Sequence, residues 1–134
     1  MYNDRPVDQS NFKLTQIGVV MLGVAEMARS LQFYRDQLGL ALKGQVDGFA
    51  FLDGGAVTLC LSESLARAVT GQIAGATEVV FSVPDVKGAY EALRSRGIEF
   101  VREPFVATGP MWAANFRDPD GHILSLFGPE RGVQ

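Results

Sequence analysis

A chain of 134 residues, 47% hydrophobic and 20% charged, can bury one core and is too short for two ordinary domains. Its 12 basic and 15 acidic side chains are interspersed and sum to −3, which argues against nucleic acid or an anionic membrane surface as partner and leaves a small molecule or another protein. The lone cysteine, Cys60, excludes an intrachain disulfide; the polar start MYNDRPVDQS and apolar runs far below the roughly 20 residues of a membrane span add to the expectation of a reducing, cytoplasmic setting.

The first predicted element is an apolar strand, VVMLGV from Val19, followed by a turn carrying Glu26. Met27, Leu31, Tyr34 and Leu38 then recur at helical spacing, with Gly39 as the stop. Three strand-like pieces follow, ALKGQV, FAFLDGG and AVTLCLS, separated by glycine turns. The order then begins again: EVVFSV from Glu78, the turn acid Asp85, a helix through Val86, Tyr90 and Leu93 that ends at Gly97, and the strands of IEFVREP, WAANFRDPDG and HILSLFG. Each half reads βαβββ. One short helix covers only one face of its own sheet, so the other face needs a partner. The expected fold is α+β, a single domain over 1–134 made of module 15–63 and module 77–128, forming a cupped mixed sheet around a cavity with helices outside.

Strand alternation separates the two faces. Val20, Leu22 and Val24, Val57, Leu59 and Leu61, Val79, Phe81 and Val83, and Leu124 and Leu126 form a uniformly apolar face that belongs under the helices. The opposite face is mixed and small: Val19, Met21 and Gly23, Thr58, Cys60 and Ser62, Glu78, Val80 and Ser82, and Ile123, Ser125 and Phe127. Such a face suits the wall of a cavity.

With MARSLQFYRDQLGL (Met27 to Leu40), VPDVKGAYEALRSRG (Val83 to Gly97) and FRDPDGHILSLF (Phe116 to Phe127), the sequence resembles the vicinal oxygen chelate superfamily of glyoxalases, bleomycin-resistance proteins and extradiol dioxygenases. In its metal-dependent branches four cavity-facing positions supply ligands, usually His or Glu. The resemblance sets these positions at Val19, Cys60, Glu78 and Ser125, of which only Glu78 and Cys60 are strong donors. The expectation is therefore no metal and no cofactor. The resemblance also implies a homodimer.

His122 directly follows the Asp120-Gly121 hairpin pair and reads as a turn residue facing away from Ser125. DPDG has a turn explanation and lacks the further oxygens of a calcium loop. Glu78 reads either as a carboxylate in a partly apolar cavity, able to act as a base or hold a cation, or as a solvated strand terminus. Cys60 reads as a small buried residue. The predicted ligand-binding set is Val19, Met21, Phe49, Phe51, Cys60, Glu78, Trp112 and Ser125, with Phe116 as a further aromatic candidate and Glu78 as the one catalytic candidate. The functional expectation is a small organic ligand in a metal-free cavity; the alternative is a lyase, isomerase or dioxygenase with Glu78 as base or metal ligand.

Overall fold

The computed structural model describes residues 17–68 and 77–132. Thr15 and Gln16, where the first predicted module opens, lie outside them. The first half runs β1 (Val19–Gly23), α1 (Met27–Leu31) continuing into a π-helical segment (Gln32–Gln37), β2 (Leu42–Val46), β3 (Phe49–Asp53), β4 (Thr58–Ser62) and α2 (Glu63–Ala68). The second half runs β5 (Glu78–Ser82), α3 (Val86–Ser95), β6 (Phe100–Thr108), β7 (Met111–Arg117) and β8 (Ile123–Pro129).

Among the described residues the strands form two four-stranded mixed sheets, β1-β4-β3-β2 and β5-β8-β7-β6, one from each βαβββ half of the expected α+β fold. In each, the opening strand runs parallel to the closing strand and the other pairs are antiparallel. The registers match as well. Val19 lies opposite Thr58 and Met21 opposite Cys60, as Glu78 lies opposite Ile123 and Val80 opposite Ser125.

Helix starts follow local chemistry. The Asp85 carboxylate accepts from the Gly88 N–H at 2.7 Å and caps α3. Glu26 makes no such bond at α1; Glu63, from the start of α2, accepts from the Met27 N–H at 2.9 Å instead. Gly23 lets α2 come close, because a Cβ there would stand 3.0 Å from the Ala66 backbone nitrogen.

The apolar faces of both sheets join in one core, including Leu22, Leu59, Leu61, Phe116, Leu124 and Leu126. Consecutive residues Phe33 and Tyr34 are both buried, because the π-helical segment lies between its own module and the second one. Phe33 packs against Phe116 with ring centroids 6.4 Å apart, and the Tyr34 hydroxyl donates to Asp118 Oδ2 at 2.8 Å.

The DPDG turn completes this junction. Asp118 Oδ1 accepts from the Asp120 and His122 N–H groups at 2.9 and 2.8 Å, and Gly121 supplies a φ of 91°. Asp120 reaches across to the first module, accepting from the Ala25 N–H at 2.9 Å, Arg29 Nη2 at 3.0 Å and the Ser30 hydroxyl at 3.4 Å.

Candidate functional site

One face of each sheet is turned away from α1 and α3, with α2 packed on the Gly23 end of the first sheet's face, and most of the predicted residues stand on these faces. On the first sheet Met21 neighbours Cys60, Cys60 neighbours Phe51, and Phe51 neighbours Gly44. Val19 lies one step along β1 and Phe49 one step along β3, opposite Ser62. Val19 and Met21 are 51% and 45% exposed, although both are apolar. Cys60 is fully buried beneath its neighbours, and burial pushes its thiol pKa up, so it is no ready nucleophile. Lys43 adds the polar exception, donating from Nζ to the Thr58 hydroxyl at 2.6 Å.

The equivalent row on the second sheet is polar. The Ser125 hydroxyl donates to Glu78 Oε2, and Asn115 Nδ2 donates to Ser125 Oγ at 2.6 Å. Asn115 is paired with Arg102, whose guanidinium lies 3.5 Å from the Phe105 ring centroid. Position by position, Val19, Cys60, Phe51 and Gly44 in the first sheet correspond to Glu78, Ser125, Asn115 and Arg102 in the second. Asn115 and Arg102 were not predicted. The β7–β8 register carries the signal, since it places Asn115 beside Ser125.

Trp112 does not join these residues. Three positions from Asn115 along β7, it points to the helix side with Ala114 and Phe116, and Lys87 Nζ of α3 lies 4.7 Å over its ring. Phe116 is buried in the core. His122 ties the modules together, its Nε2 lying 2.7 Å from the Gly23 carbonyl oxygen. A carbonyl can only accept, so Nε2 carries the proton.

Residues 16–126 match the family described as the Glyoxalase/Bleomycin resistance protein/Dioxygenase superfamily. The chain belongs to this superfamily. A crystal structure of a glyoxalase/bleomycin resistance protein/dioxygenase from Nocardioides is 28% identical, with a TM-score of 0.72 over 92% of this chain and 89% of that one. A Mycolicibacterium smegmatis protein (strain ATCC 700084 / mc(2)155) is 32% identical over 85% of this chain and 94% of its own. TnmS3, an antibiotic binding protein from Streptomyces sp. CB03234, shares the fold with a TM-score of 0.73 at 21% identity, over 89% and 99% of the two chains.

In this member of the glyoxalase superfamily, the four strand positions do not fit the metal of the superfamily's metal-dependent branches. Val19 has no donor atom, Ser125 uses its proton on Glu78, and the buried Cys60 sulfur lies 3.8 Å from the Leu61 carbonyl oxygen. Glu78 alone remains as a strong ligand, where a catalytic zinc takes about three. Among the described residues no three His, Cys, Asp or Glu side chains gather into a metal-binding group. What the arrangement offers is an apolar surface on one sheet and a fixed line of acceptors and donors on the other.

Proposed function

We propose that this protein binds a small amphiphilic organic molecule, without a metal, on the sheet faces turned away from α1 and α3. The contrast between the two rows carries this reading: Val19, Met21 and Phe51 offer apolar contact above the buried Cys60, where Glu78, Asn115 and Arg102 offer hydrogen bonds and the buried Ser125 ties Asn115 to Glu78. Binding pockets combine these features, apolar walls with a few placed polar groups. TnmS3, an antibiotic binding protein, has the same fold, so the scaffold admits such an activity.

The pocket is completed by a second copy of the chain. Val19, Met21 and Val80 are exposed by 51%, 45% and 50% on these faces, and among the described residues β1 and β5 each have a strand partner on one side only. Exposed apolar patches and open sheet edges call for cover. Residues on opposing sheets of two copies would then enclose the ligand. The unpaired Cys60 thiol suits the reducing cytoplasm as the place of action.

Isothermal titration calorimetry against a library of aromatic amphiphiles tests the reading. At least one compound binds the metal-free protein, and Met21→Arg, which sets a charge among Val19, Cys60 and Phe51, weakens it on the order of tenfold. Unchanged affinity in Met21→Arg contradicts the assignment of the face. Sedimentation velocity of the same protein shows a dimer; a monomer at all concentrations removes the second copy from the account.

The bond from Ser125 to Glu78 favours a second reading, in which the carboxylate, held in place, takes a proton from a bound substrate. Glu78→Gln then abolishes turnover with affinity little changed, whereas a pure binder shows no turnover in either form.

A further inference from the structure

The polar row has a direction. Glu78 stands on β5 at one end and Arg102 on β6 at the other, with β8 and β7 between them. Three strand spacings separate their backbones by roughly 14 Å. Ser125 and Asn115 fill the gap, and their hydrogen bonds are already committed toward the acid: Asn115 donates to Ser125, and Ser125 donates to Glu78. Among the described residues nothing donates to the second carboxylate oxygen of Glu78 or to the amide oxygen of Asn115, and both can accept from an incoming donor.

At the far end, no carboxylate among the described residues forms a salt bridge with Arg102. Its guanidinium carbon lies 3.5 Å from the ring centroid of Phe105, whose strand partner Ala113 shares a face with Asn115. Stacking on an aromatic ring holds the planar fork and leaves its edge N–H groups available to a bidentate anion. Nothing in the first sheet repeats this. Gly44 occupies the position of Arg102, and Val19 that of Glu78.

Resting on the binding reading above, we infer that the ligand is dipolar: an elongated aromatic molecule with an ammonium or similar donor against Glu78 and a carboxylate or other oxyanion against Arg102. Arg102 and Phe105 are then specificity-determining residues that select the anionic end.

Four probes of one skeleton test this by calorimetry: 4-(4-aminobutyl)benzoate, its methyl ester, its N-acetyl derivative and the doubly blocked compound. The zwitterion binds on the order of tenfold more tightly than either singly blocked probe, because each end makes a charge-assisted contact. In Arg102→Gln the zwitterion falls to the level of the methyl ester, Arg102→Lys recovers part of the difference, and Glu78→Gln brings the zwitterion to the level of the N-acetyl probe. Equal binding of all four probes, or no binding of the zwitterion, overturns the inference. Amide chemical shifts recorded with the same probes separate the two levels of the account. Equal affinities with shifts along β5, β7 and β8 leave the binding face standing and remove only the dipolar ligand; shifts confined to the helix side remove both.

Discussion

Replacing Tyr34 by Phe deletes one hydroxyl at the junction between the modules and leaves the ring's packing in place. Tyr34 is 0% exposed and Asp118 5% exposed, and the bond between them is 2.8 Å long. Its loss leaves a buried carboxylate oxygen without its donor, and a hydrogen bond to a charged group contributes about 1.5–3 kcal/mol. In equilibrium urea unfolding at neutral pH, with a slope of about 2 kcal/mol per molar, the midpoint falls by about 1 M at unchanged slope. Tyr90→Phe is the control: its hydroxyl bonds Glu103 at 3.3 Å on the surface, and its loss changes stability by less than about 0.5 kcal/mol. A pH series adds an independent check. Burial first, and the neighbouring Asp118 second, push the Tyr34 phenol well above its ordinary 10.0. A raised pKa stabilises the fold below the ordinary value, and that contribution is lost as pH rises beyond it. Wild-type stability therefore declines above pH 10.0, more steeply than that of Tyr34→Phe. A Tyr34→Phe loss no larger than that of Tyr90→Phe, or the same alkaline slope in both proteins, refutes the reasoning.

Gly23→Ala drives a methyl group against the Ala66 backbone at 3.0 Å and forces α2 to shift, costing about 1–3 kcal/mol by thermal or urea unfolding. Asp85→Ala removes the α3 cap and lowers the melting temperature at neutral pH. The Gly88 N–H holds the Asp85 carboxyl below its ordinary 3.8, so this difference persists above that value and shrinks as pH falls beneath it. Cys60, fully buried with its thiol pKa raised, reacts with a disulfide reagent at the rate of unfolding; reaction at the rate of a free thiol contradicts the placement.

The duplicated order was legible because each half repeats an apolar strand, a turn acid and a helical stripe, and those signals are local. Leu22, Leu61, Leu124 and Leu126 fall in the core as alternation placed them. Val20, 37% exposed near the start of an edge strand, and Val57, just before β4, are the exceptions that stay out of it. What could not be read depends on distant parts of the chain. Helix α2, ESLARA, carries no apolar stripe to announce it and is placed by Gly23 and Glu63. The π-helical segment follows from burial on two sides, by residues far apart in sequence. Trp112, expected among the ligand-binding residues, turns to the helix side because β7 begins at Met111 and the β7–β8 register then fixes the face of every residue in it. The same register turns Asn115, which has no motif of its own, into the neighbour of Ser125. DPDG was legible as a turn, while its role in joining the modules lies in Asp118 and Asp120 meeting Tyr34 and Arg29.

Amide spectra of isotopically labelled protein, recorded during titration with the tightest aromatic amphiphile found by calorimetry, test the central claim most directly. The account predicts saturable shifts at Val19 to Met21, Cys60, Glu78 to Val80 and Ser125, on the faces turned away from α1 and α3. The helix side offers a competing cavity of about 290 Å³ lined by Leu38, Leu40, Ala89, Leu93 and Phe116 among others. Shifts that gather around that cavity, with β1, β4, β5 and β8 unmoved on their open faces, would contradict it.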